Sequence, residues 1–92
     1  MLYSIKTINQ KEKSGFFVYF VAKKKVFKTA VLRNRAKRIA RHGFYKAKKD
    51  LISDIFPNKQ VIFFLENGII QESFENIVES FKNDLLKIIN KK

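Results

Sequence analysis

The sequence predicts a small two-layer α+β domain, with helices packed on one sheet. Three observations point there. Ninety-two residues allow one core and one domain, residues 1–92. Three short β-prone runs carry aromatic and β-branched residues. Two long stretches repeat apolar residues at the 3.6-residue spacing of a helix. In order they read strand, strand, helix, strand, helix, which suits a small sheet with helices against it.

The first run, "LYSIKTI" at 2–8, partly alternates: Tyr3, Ile5 and Thr7 fall on one side, Ser4 and Lys6 on the other. "NQKEKSG" at 9–15 is polar and ends in glycine, so a hairpin loop is expected between the first two strands. "FFVYFVA" at 16–22 is continuously apolar, the pattern of a central strand covered on both faces. "KKKVFK" at 23–28 is a basic connection.

Thr29 can cap a helix, because its hydroxyl accepts from an N–H one turn on. That helix is expected to run to about Ile55, with Pro57 as its stop and Asn58 in a turn. At 100° per residue, Ala36, Ile39, Ala40, Gly43, Phe44, Ala47 and Leu51 share one sector. The small residues among them would let the helix approach the sheet closely, offsetting the roughly 1 kcal/mol that Gly43 costs a helix relative to alanine. "QVIFFLE" at 60–66 reads as a further strand and Asn67-Gly68 as a turn. The stretch 73–92 is amphipathic, with Phe74, Ile77, Val78, Phe81, Leu85, Ile88 and Ile89 on one face and Ser73 as its cap. Ten phenylalanines are expected mainly to fill the small core.

Charge is the strongest functional signal. The net charge is +12, and residues 13–49 hold 13 of the 20 Lys and Arg without a single acid. A surface made only for solubility mixes its signs, whereas a block of one sign points to a polyanionic partner. Lys37, Arg38, Arg41, Lys48 and Lys49, with Asn34 and Tyr45, lie outside the apolar sector of the basic helix. Their guanidinium and ammonium groups would recur about every turn and match a phosphate backbone. An anionic membrane fits less well, because the apolar face is needed for the core and the polar face offers no membrane anchor. An autonomous DNA-binding regulator fits poorly too, since no short helix and tight turn precede the basic helix. Spacing alone does not separate RNA from DNA.

Other chemistries find little support. With no cysteine there is no disulfide, thiolate metal site or thiol nucleophile. His42 is the only histidine and reads as a solvent-facing or satisfied side chain. Asp50 and Asp54, one turn apart, read as charge-balancing carboxylates rather than a metal site. No phosphate-binding glycine loop and no nucleophile–base pair is present, so neither catalytic nor metal-ligating residues are expected. The longest apolar run is too short for a bilayer span and no signal peptide is evident, so the protein reads as cytoplasmic with no membrane partner.

"KKVFKTAVLRNRAKRIAR" at 24–41 closely resembles the segment shared by the protein subunits of bacterial ribonuclease P. The ordered set is Lys24-Lys25, Ala30-Val31, Arg33-Asn34-Arg35, Lys37-Arg38 and Arg41, after an apolar strand. The resemblance is strong over these residues, and the later order of strand and amphipathic helix agrees with it. It implies a ribosomal-protein-S5-domain-2-like fold, with two parallel strands joined across the basic helix by a left-handed crossover; general rules would favour a right-handed one. It also implies an RNA subunit that cleaves 5′ leaders from precursor tRNA, with Mg2+ held mainly by RNA. The protein would bind ribonuclease P RNA and the leader and enhance substrate and metal affinity without cutting bonds. By this resemblance Lys24, Lys25, Arg33, Asn34, Arg35, Lys37, Arg38 and Arg41 would contact RNA. Tyr3 and Tyr19 are candidates for stacking on leader bases, against a core role. Two departures stand out. The chain begins almost at its first strand, so the family's N-terminal helix is expected to be absent from it. "RHGFY" at 41–45 also stands where an Arg-Glu run is usual, with His42 at the acid's place. The alternative reading is a non-catalytic RNA- or ribosome-binding module of similar fold.

Overall fold

The computed structural model describes residues 2–9, 15–51 and 59–90. Its elements are β1 (Tyr3–Asn9), β2 (Phe16–Val21), α1 (Ala30–Asp50), β3 (Lys59–Leu65), α2 (Gly68–Gln71) and α3 (Phe74–Asn90). The sheet has three strands in the order β1-β3-β2. β1 runs antiparallel to β3, with Tyr3 opposite Leu65 and Thr7 opposite Val61. β2 runs parallel to β3, with Val18 beside Val61 and Phe20 beside Phe63. Parallel neighbours cannot be joined by a tight turn, and α1 supplies the crossover between them.

Two sequence expectations are corrected here. β1 and β2 do not form a hairpin, because β3 lies between them; most of the polar loop expected there falls outside the described residues. β2 is an edge strand, and the central strand is β3, whose Val61, Phe63 and Leu65 are buried at alternate positions. The apolar run of β2 therefore does not report cover on both faces. Its burial alternates, with Phe17 and Tyr19 outward.

Helices α1 and α3 pack side by side on one face of the sheet. The core between them is aromatic. Phe63 and Phe81 meet edge to face, Phe44 meets both, and the ring of Tyr3 lies flat on Phe81 at 4.8 Å. From α1 the residues Ala36, Ala40, Gly43, Phe44 and Ala47 are buried, as its periodicity predicts, while Ile39 and Leu51 are only partly so. The close approach permitted by Gly43 is to α3 rather than to the sheet. A β-carbon there would stand 2.7 Å from Ile77 Cγ2 and 3.4 Å from Phe81. In α3 the inward face is Ile77, Val78, Phe81, Leu85 and Ile88; Phe74, expected on that face, is exposed.

Local signals hold at both helix starts. Leu32 N–H donates to Thr29 Oγ1 at 3.2 Å, and Asn76 N–H donates to Ser73 Oγ at 3.3 Å. Glu72 accepts from Asn76 Nδ2 and from Ser73 N–H, and these bonds hold its carboxyl below the usual carboxylate range. α1 ends at Asp50, with Leu51 as its C-cap, short of the expected Ile55; Pro57 and Asn58 lie outside the described residues. Asn67-Gly68 does not make a simple turn but opens the one-turn helix α2, which buries Ile69.

Candidate nucleic-acid interface

The entry to α1 is built around Phe27. This side chain is 1 % exposed and holds the 23–28 connection against the core. The connection closes on itself, with the N–H groups of Val26 and Phe27 both donating to Lys23 O. Arg33 Nη1 donates to the carbonyl of Phe27 at 3.0 Å, tying the connection to the first turn of the helix. Lys24 and Lys25 are left exposed just ahead of α1. Arg33 is half-buried. One of its five donors is spent on holding that geometry.

Beyond this entry the outer surface of α1 is cationic. Asn34, Arg35, Arg38 and Arg41 are exposed and Lys37 is half-buried. At 100° per residue, Asn34, Lys37 and Arg41 follow the flank nearest Phe44, the side of the helix that meets Phe20 of β2. Arg38 lies on the crest, and Arg35, His42 and Lys46 lie on the opposite flank.

Among the described residues no carboxylate pairs with Arg35, Lys37, Arg38 or Arg41. Two ion pairs lie at the end of α1, where Asp50 meets Lys46 at 3.4 Å and Lys82 of α3 at 3.1 Å. Lys82, then Lys46, hold the Asp50 carboxyl below its ordinary value. The first turn of α1 carries no acid, so its cations face the positive end of the helix dipole. Arg35–Arg38, Arg38–Arg41 and Lys37–Arg41 are like-charge neighbours at three- and four-residue spacing, which costs a few tenths of a kcal/mol each (~0.2–0.5). The isolated protein bears this repulsion, and a polyanion relieves it.

The second surface is the face of the sheet turned away from the helices. Register places Phe17, Gln60 and Ile8 in one row, Tyr19, Ile62 and Lys6 in the next, and Val21, Phe64 and Ser4 in the third. Phe17 is 40 % and Tyr19 48 % exposed. Lys23, at the end of β2, sets its ammonium 5.0 Å from the centre of the Phe64 ring. The result is an aromatic strip with a cationic margin on the same edge of the sheet as the Lys37–Arg41 flank.

The two tyrosines proposed for stacking part company here. Tyr19 stands on the open face. Tyr3 belongs to the covered face and to the core, a correction to its stacking candidacy: it is 8 % exposed and packs on Phe81, and its hydroxyl bonds to Ser80 and donates to Asp84. Burial and then the Asp84 carboxylate push its phenol above the usual range. In an alternating strand, a polar-tipped aromatic fits either face, and only its partners on α3 decide. Phe17, Phe64 and Lys23 were missed as candidates. The available signal was that β2 is apolar at both odd and even positions, which for an edge strand means a second contact surface.

No group of three or more His, Asp or Glu side chains comes together among the described residues. His42 is exposed on the basic helix. Asp50 serves its two lysines, and Asp54 lies outside the described residues.

A small α+β scaffold that sets exposed cations along one helix beside an open aromatic strip has the surface of a nucleic-acid-binding protein. Comparison with known proteins narrows this. The family model described as Ribonuclease P matches residues 2–90, and the chain belongs to that family. Among solved structures it is similar to the RNase P protein of Staphylococcus aureus, with 25 % identity and a TM-score of 0.69 over 97 % of this chain and 78 % of that one. No curated protein matches it. It is the protein component of ribonuclease P, a tRNA-processing ribonucleoprotein whose catalysis resides in its RNA, and the RNA subunit is its partner. No described helix is long and apolar enough to cross a membrane.

Proposed function

We propose that α1 and the turn before it bind phosphates of ribonuclease P RNA, while the open face of the sheet holds the single-stranded 5′ leader of precursor tRNA. Lys24, Lys25, Arg35, Lys37, Arg38 and Arg41 supply the phosphate contacts. Arg33 contributes with its remaining donors, and Asn34 adds an amide that can both donate and accept. Tyr19 stacks on a leader base, because an unpaired base offers its π-face whatever its sequence. The protein raises the affinity of the ribonucleoprotein for substrate and for Mg2+, which is held mainly by RNA, and it works in the cytoplasm.

The observation that carries this reading is that Arg35, Lys37, Arg38 and Arg41 have no carboxylate partner among the described residues. A cleavage assay at low magnesium tests it. Purified protein added to its cognate catalytic RNA and a leader-bearing precursor tRNA should speed accurate 5′ cleavage over RNA alone. No acceleration, together with tight binding to ribosomal RNA, would instead establish an RNA-binding module of another assembly.

A further inference from the structure

The outer crest of α1 is not uniformly polar. Val31, Arg38 and Tyr45 succeed one another at seven-residue spacing along it, about 10.5 Å per step. Val31 is 76 % and Tyr45 68 % exposed, the latter well above Tyr19 and Phe17 on the open sheet face. Tyr45 makes no hydrogen bond, ring stack or cation–π contact with the described residues. Its burial adds nothing to the core, and tyrosine is a middling helix former, so neither packing nor propensity accounts for it. Its neighbours on the helix surface are cations: Arg41 one turn before, Lys48 and Lys49 one turn after.

We propose that Tyr45 is a base-stacking contact to ribonuclease P RNA, made by an unpaired nucleotide of that RNA. The inference rests on α1 being the RNA-facing helix. Cations on both sides of Tyr45 can hold successive phosphates of one strand, which leaves the base between them free to turn onto the ring. A paired stretch of A-form RNA cannot supply this contact. Its major groove is too deep and narrow for side chains to read, and its bases are already stacked on one another. The partner segment at this turn of α1 is therefore a bulge, loop or strand end. The ridge combines phosphate contacts, which respond to salt, with one stacking contact, which does not.

The test uses the full-length protein and its cognate ribonuclease P RNA transcribed in vitro, with dissociation constants measured across a salt series. Tyr45→Ala should bind roughly 5- to 150-fold more weakly than wild type, with an unchanged slope of log K against log salt. Tyr45→Phe should stay within about twofold of wild type, since it keeps the ring. The chain contains no tryptophan, so Tyr45→Trp carries a single reporter, and its emission should be quenched as RNA saturates it. Wild-type affinity in Tyr45→Ala, a Phe variant as weak as the Ala variant, or unchanged emission in Tyr45→Trp would each overturn the stacking assignment. Failure of the wild-type protein to bind this RNA would instead overturn the RNA-facing role of α1.

Discussion

Helices α1 and α3 lie against each other on the same sheet face, yet they do opposite work. α3 faces inward with Ile77, Val78, Phe81, Leu85 and Ile88 and supplies much of the large apolar volume of the core. α1 faces inward mainly with Ala36, Ala40, Gly43 and Ala47, and Phe44 is its one large buried residue. Small residues bring α1 close and hold it rigid while contributing little area. Outward the contrast reverses. α3 carries Glu75 and Glu79 toward its start and Lys82 and Lys87 farther on, a mixture that suits its dipole and solubility. α1 is acid-free up to Asp50. One helix stabilises the domain, and the other is displayed by it.

Substitutions on the two helices should therefore separate stability from RNA binding. The largest effect is expected at Phe81, which is fully buried and in ring contact with Tyr3, Phe20, Phe44 and Phe63. Phe81→Ala should lower unfolding free energy by about 3–5 kcal/mol in a denaturant melt. A loss below about 1 kcal/mol would show that α3 is not the core helix. Arg38→Ala should behave in the opposite way. Stability should change by no more than about 0.5 kcal/mol. RNA binding should weaken by roughly 1.5–3 kcal/mol, and the salt slope should flatten by about 0.7–0.9. An unchanged slope would remove Arg38 from the phosphate contacts.

Gly43 tests the close approach that joins the helices. In an exposed helix its replacement would be favourable, but here a β-carbon meets Ile77. Gly43→Val should cost about 2 kcal/mol by overpacking; a neutral result would mean the helices are farther apart than described. The smallest effect is expected at Asp50, an exposed carboxylate shared by Lys82 and Lys46. Its folded-state pKa lies below its unfolded value, so its contribution is present above that value and is lost as pH falls through the folded one. Asp50→Asn should thus differ slightly from wild type at neutral pH and coincide with it in strong acid, in thermal melts across the acid range. A gap that widened in acid would contradict the pairing.

Much of α1 was legible from local signals. The Thr29 cap, the Ala36–Ala40–Gly43–Phe44–Ala47 stripe and the acid-free cations all operate within a few turns of chain, and each stands where the periodicity puts it. The outward direction of its cations was readable for the same reason, since a side chain off the apolar stripe of a surface helix points to solvent. Which strand aromatics face outward was not. Tyr3 and Tyr19 are equivalent in composition and both sit in strands, but one bonds to Ser80 and Asp84 on α3 and the other stands on the open face. No local rule connects residue 3 with residues 80 and 84.

The same division runs through the whole molecule. The sequence alone determined that the chain makes one α+β domain, where its two long helices begin, and that one of them is a cationic surface, because periodicity, capping and charge are short-range properties. Only the tertiary structure decided that β3 rather than β2 is the central strand, that β1 and β2 are not a hairpin, and that the apolar run of β2 leaves an aromatic strip open. Strand pairing joins segments tens of residues apart, and an apolar strand looks the same from either side until its neighbours are in place.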